Sequence, residues 1–153
     1  MSHTHELIDF TVAAFIVNGK RVLLVHHKQL DKWLPAGGHV EPDEDTDEAL
    51  AREIAEETGL PRNDLIFIDN RPKGSYGNKF LMTPQYMDIH RINENHRHVS
   101  LIYFVASKTD NVRLKDDEHN KIKWFDFDEL DDVELVDNVR FLAKEAIKTL
   151  SLN

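Results

Sequence analysis

Cysteine is absent from the 153-residue chain. That excludes a disulfide framework and a thiolate zinc site. No apolar run approaches the roughly 18 residues a membrane span needs, so no membrane partner is expected. The opening MSHTHELIDF lacks the basic start and apolar middle of a signal peptide, and cytoplasm is the expected compartment. Positive charge is scarce: 19 Lys and Arg stand against 28 Asp and Glu, a net charge of −9. A surface that tracks nucleic acid needs the opposite balance, so nucleic acid is not an expected partner. A chain this acidic takes a polyphosphate only with cations between the two. The six glycines and five prolines gather into no linker. With no repeat or low-complexity stretch either, residues 1–153 are expected to form one domain. A hydrophobic content of 41% and a mean hydropathy of −0.50 suit a soluble chain with a real core.

What is there is periodic. FTVAAFIVNGKRVLLVHHK reads as two apolar strands around Asn18-Gly19, a strong hairpin signal. KWLPAGGHVEPDED reads as a loop. Residues 64–70, 85–92, 98–107 and 121–127 read as strands, and 74–80 as a loop. The 98–107 segment is apolar at both alternating sets of positions, which predicts cover on both faces. Helical spacing runs through 135–150. Strands flanked by helices predict an α/β sandwich with a mixed sheet.

The helix expected over 45–58 poses the main question. Asp45 is placed to cap its start, with Glu48 three residues on, and Gly59 to stop it. Leu50, Ala51, Ile54 and Ala55 form the expected buried stripe, and Glu48 pairs with Arg52 at the surface. Glu53, Glu56 and Glu57 fill another sector with the small Thr46 and Ala49. Each like-charge pair at that spacing costs roughly 0.2–0.5 kcal/mol, and the helix C-terminus adds partial negative charge. One reading is a solvated acidic face. The other is a hard divalent cation held by carboxylates, as Mg²⁺ is when it bridges protein and phosphate.

The surrounding segment, GGHVEPDEDTDEALAREIAEETGL, resembles the Nudix box: G, five residues, E, seven residues, then R-E-U-x-E-E-x-G-U, with U a bulky aliphatic. Gly38, Glu44, Arg52, Glu53, Ile54, Glu56, Glu57, Gly59 and Leu60 fill every fixed position. Nine matches at a usage of one in ten arise by chance about once in a billion. The preceding hairpin, Trp33 and the late EHNKIKWFDFDEL extend the resemblance over most of the chain. Ala36 and Asp43 depart from common family choices outside the fixed positions.

The resemblance implies a Nudix-like α/β/α sandwich. It also implies hydrolysis of a nucleoside diphosphate linked to another moiety, with Mg²⁺ or Mn²⁺ as cofactor and a small-molecule nucleotide as partner. By matching position, Glu53, Glu56 and Glu57 are metal ligands, joined by the Gly37 carbonyl. Gly37 and Gly38 also read as a tight turn. Glu53 or a distal glutamate activates water, Glu44 is auxiliary, and Arg52 orients the glutamates. Glu118 stands where many family members carry a further glutamate, although Asp116 and Asp117 beside it suit a solvated loop. A homodimer is compatible with this reading.

Pocket candidates are fewer in number and weaker in signal. Trp33, Tyr76, Phe80, His90 and His98 are expected to line the substrate site, with Tyr86 another aromatic in reach. Tyr76 lies 16 residues past the box, near the offset of a Tyr in diadenosine-polyphosphate hydrolases of the family. Among the nine histidines, His3 and His5 sit in the N-terminal tail and His26 and His27 end a strand. His96 and His98 point the same way, with His90 across from them, but no carboxylate spacing completes a tetrahedral metal set. The alternative to an enzyme is a nucleotide-sensing Nudix-like module without turnover. The intact box glutamates favour the enzyme.

Overall fold

The computed structural model describes residues 7–115 and 117–151. The expectations for His3, His5 and Asp116 lie outside the described residues.

Two long strands form the middle of the sheet. Strand β1 (Ile8–Asn18) and β7 (His96–Ser107) run parallel, from Ile8 opposite Arg97 to Val17 opposite Ala106. Their alternating side chains feed two cores. Phe15, Val17, Ile102 and Phe104 point to one face, beneath helix α3 (Asp137–Leu150). Val12, Ala14, Ile16, Tyr103 and Val105 point to the other, beneath helix α1 (Thr46–Thr58). Strands buried on both faces need apolar residues at every position, which explains their unbroken runs. The result is the expected α/β/α sandwich with a mixed sheet.

Strand β1 changes partner along its length. Its C-terminal part pairs antiparallel with β2 (Arg21–His27), and its N-terminal part with β4 (Ala36–His39). Strand β3 (Lys32–Leu34) joins β2 beside β1, and β8 (His119–Asp126) follows the opposite edge of β2. Strands β5 (Leu65–Phe67) and β6 (Tyr86–Asn93) share the outer edge of β7. A short helix, α2 (Glu129–Asp132), precedes α3.

Two local expectations change. The hairpin turn is Gly19-Lys20, because Asn18 already pairs with Arg21. Gly19 has φ +62° and Lys20 does not turn positive, the pattern of a type II′ turn with glycine at its first central position. The stretch read as a loop carries β3 and β4, and neither Gly37 nor Gly38 has the positive φ of a tight turn. Gly37 is a strand residue pressed against β1: a Cβ there would lie 2.1 Å from the Val12 carbonyl oxygen.

Candidate active site

Local chemistry fixes both ends of α1. Asp45 accepts from the Glu48 N–H, and Glu48 returns to the Asp45 N–H, a complete capping box. Gly59 closes the helix in the left-handed region at φ +76°. Between them Leu50 and Ile54 are buried as expected, while Ala51 and Ala55 are only half-buried. Ala49 is fully buried in the core, so it leaves no open space beside the glutamates.

Arg52 does not pair with Glu48. Glu48 turns to the capping box and to Lys79, 3.5 Å away. Arg52 instead gathers acids from the helix and from the loop before it. Its guanidinium donates to Glu44 at 2.6, 3.0 and 3.2 Å, to Glu53 at 3.0 Å and to Glu56 at 3.1 Å. It also donates to the His39 carbonyl at 3.0 Å, which ties α1 to the end of β4. Planar guanidinium, with five donors, suits such a fan.

The carboxylates crowd onto β4. Glu57, 5% exposed, accepts from the Gly37 N–H at 3.3 Å. Glu53 lies so close to Gly38 that a Cβ there would be 2.4 Å from its Oε1. Glu53 and Glu57 also share a hydrogen bond between their carboxyl groups. Burial raises the Glu53 pKa, outweighing the attraction of Arg52. The hydrogen bonds from Arg52 lower that of Glu44 and in turn raise that of Arg52. Glu56 keeps one side to solvent. One guanidinium against four glutamates leaves three negative charges when all are ionised. The site is therefore short of positive charge, and the Glu53–Glu57 contact needs a proton or a cation between its oxygens.

His119, at the start of β8, is the neighbour that sequence reasoning missed. It is buried, with Nε2 3.9 Å from Glu57 Oε2, and its ring meets His27 edge-on at 5.3 Å. The separation is too long for a hydrogen bond. Glu118 beside it is exposed, and its backbone carbonyl accepts from the Lys28 N–H at 2.9 Å.

The pocket candidates do not gather in one place. Trp33 packs edge-on against His26 and Phe125 on the α3 side of the sheet. His90 stands opposite His98, as expected, where β6 meets β7. Tyr76 and Phe80 touch each other at 6.1 Å in the loop between β5 and β6. That loop is fastened to the first turn of α1: Lys79 to Asp45, and the Met82 N–H to Asp47. Glu56, nine residues beyond Asp47, lies about 13–14 Å further along the helix axis.

A sequence profile described as the NUDIX domain matches residues 8–149. A Bacillus subtilis (strain 168) protein whose name places it among 8-oxo-dGTP diphosphatases is 42% identical over 53 residues. That stretch is 33% of this chain and 36% of the relative, so the chain matches only about a third of the relative's length. The crystal structure of a NUDIX-family hydrolase from Clostridium perfringens superposes with a TM-score of 0.81 at 28% identity, covering 93% of this chain and 97% of that one. A C. elegans Ap4A hydrolase in a binary complex superposes with a TM-score of 0.67 at 17% identity, covering 94% and 95%. The last likeness is one of fold.

Proposed function

The chain belongs to the NUDIX family, whose domain profile spans most of its length, and on that premise we propose that it is a divalent-metal-dependent pyrophosphohydrolase. Its substrate is a nucleoside diphosphate linked to another moiety. The observation that supports this most is the Arg52 fan: one side chain holds Glu44, Glu53 and Glu56 together while Glu57 is pinned to the Gly37 N–H.

The acids fit a hard cation. They are oxygen donors, they exceed the local positive charge, and two of them meet carboxyl to carboxyl. Glu53, Glu56, Glu57 and the Gly37 carbonyl would hold Mg²⁺ or Mn²⁺. When bound, the ion neutralises phosphate oxygens and lowers the cost of charge developing on them.

The chain's own residues do the rest. Water attacks phosphorus, an O–P bond forms, and the bridging P–O bond breaks with its electron pair leaving on oxygen. The proton released by water needs an acceptor. Glu53 is the proposed acceptor, a carboxylate held in the site by Arg52. Arg52 positions Glu44, Glu53 and Glu56. His119 stands close to Glu57, with Nε2 3.9 Å from Oε2. The nucleoside itself is expected to be read by side chains outside the box. Among the described residues no helix is long and apolar enough to cross a membrane.

Product release from nucleoside triphosphates, dinucleoside polyphosphates, nucleotide sugars, ADP-ribose, NADH and coenzyme A tests the reading, with Mg²⁺, with Mn²⁺ and with chelator. Cleavage of at least one at its pyrophosphate, abolished by chelator, is the expected result. Binding without cleavage in every case would favour the sensing module instead.

A further inference from the structure

We propose that Asp9, His39 and His98 form a second metal site, for a transition ion of the Zn²⁺ class, on the sheet face opposite α1. Three strands converge to make it. Asp9 on β1 lies directly opposite His98 on β7, and His39 on β4 stands opposite Thr11, two residues along from Asp9. Residues two apart on a strand share a face. Thr11 bonds Ser100 across the same pair of strands, on the same side. No segment of the sequence contains the three together, so neither spacing nor periodicity announces them.

The geometry is close to a coordination shell. One ligand atom from each residue lies within 4.8 Å of the other two. Four ligands at about 2.0–2.1 Å from Zn²⁺ stand about 3.3 Å apart. Asp9 Oδ2 and His39 Nε2 are already 3.4 Å apart. The His39 and His98 rings meet edge-on at 4.8 Å, so modest side-chain rotation closes the set. Two imidazoles and a carboxylate leave a fourth position open to water, and they suit Zn²⁺, Co²⁺ or Ni²⁺ over Mg²⁺.

The surroundings supply what such ligands need. His96 Nε2 holds Asp9 Oδ2 at 2.9 Å. His90 stacks edge-on to His98 at 5.6 Å and is itself bound to Asp88 at 3.0 Å. Partners of this kind orient metal ligands. A plain hydrogen-bonded histidine cluster would account for His39, His90 and His96, each of which has a carboxylate. It does not account for His98, which has ring contacts and no hydrogen-bond partner among the described residues. The site would tie β1, β4 and β7 together. It stands independently of the hydrolase reading.

The test is Zn²⁺ titration by calorimetry on the chelator-stripped full chain. The background carries Glu56→Gln and Glu57→Gln to disable the box, and His3→Ala and His5→Ala to remove the tail imidazoles. One Zn²⁺ per chain is expected, with a rise in the thermal unfolding midpoint, since binding to the fold alone stabilises it. His98→Ala, His39→Ala and Asp9→Asn should each weaken binding at least about tenfold and remove the thermal shift. Asp9→Asn and His39→Ala change half-exposed side chains, so they keep the test alive if His98→Ala folds poorly. In ¹⁵N spectra of histidine-labelled protein, Zn²⁺ should move the ring nitrogens of His39 and His98 and leave those of His26 in place. Absence of binding in the background chain, or binding indifferent to both Asp9→Asn and His39→Ala, would overturn the site. Loss of nucleotide cleavage in unmodified protein would instead bear on the box and leave this site standing.

Discussion

Arg52 and Glu44 meet through three hydrogen bonds, at 2.6, 3.0 and 3.2 Å, although eight residues separate them. The same guanidinium reaches Glu53 and Glu56, so one cation holds the loop and the helix in register. Lysine carries the charge but not the planar fork. Arg52→Lys is therefore expected to lower kcat/KM at least about tenfold and to lower the unfolding midpoint. Steady-state kinetics beside a thermal melt checks this. Wild-type turnover in Arg52→Lys would show that charge alone suffices.

Glu53→Gln, Glu56→Gln and Glu57→Gln are each expected to lower kcat by at least about a hundredfold, as loss of a main electrostatic element does. In metal-free protein Glu53→Gln should raise the unfolding midpoint, because burial disfavours the Glu53 charge. Glu56 is about half exposed and paired to Arg52, so Glu56→Gln should shift it little. Full turnover in the triple variant would end the metal-site reading.

His119→Asn is expected to slow turnover more than Glu118→Gln. The buried imidazole lies against Glu57, whereas Glu118 is exposed. Parallel kcat measurements decide. A larger effect from Glu118→Gln would give that residue the larger role.

These residues also mark where sequence stops being a guide. Helix α1 was legible because its cap, its period and its stop are local: Asp45, Glu48, Leu50, Ile54 and Gly59 lie within one short segment. Spacing alone placed Glu53, Glu56 and Glu57 on one sector of the helix, and their expected role came from the resemblance to the Nudix box. The expected surface pair of Arg52 with Glu48 did not form, since the i, i+4 rule cannot see Glu44, which lies outside the helix. His119 was hidden by a bulge. The register shifts between His26 and His27, so His119 and not Asn120 opposes His27, and strict alternation fails there. His39 was hidden because its partners come from β1 and β7. Tyr76 and Phe80 lie in a loop that Lys79 and Met82 fasten to Asp45 and Asp47, at the first turn of α1, a tether that sequence spacing does not show.

Asp47 gives a pH test away from the carboxylate cluster. It is buried, accepts the Met82 N–H at 3.1 Å and lies 3.7 Å from Arg71. Burial raises its pKa, ahead of the lowering influences of the Met82 N–H, Arg71 and Lys79. A raised acid contributes stability that is full below the unfolded value, about 3.9, and is lost as pH rises through the folded value. Asp47→Asn keeps an oxygen for the Met82 N–H and removes the titration. The midpoint of the variant should therefore gain on wild type as pH rises from about 4 towards neutrality. Melts across that range measure the difference. A gap that closes in the opposite direction would mean that Arg71 outweighs burial.

Gly37 and Gly38 separate folding from chemistry in adjacent positions. A Cβ at Gly37 would meet backbone, the Val12 carbonyl oxygen at 2.1 Å. Strand β4 cannot keep its pairing with β1 around that contact, so Gly37→Ala should lower the midpoint sharply and reduce folded yield. A Cβ at Gly38 would meet only the end of a flexible side chain, Glu53 Oε1 at 2.4 Å. Rotation of Glu53 relieves that clash at small cost to the fold. The same rotation takes the carboxylate away from Arg52 and Glu57, and misplacement by about 1 Å can cost on the order of a hundredfold in rate. Gly38→Ala should therefore melt near wild type while losing most of its kcat. Equal losses of stability in the two variants would mean that Glu53 is held too firmly to move. Retained turnover in a folded Gly38→Ala would mean that its present position is not the one that matters.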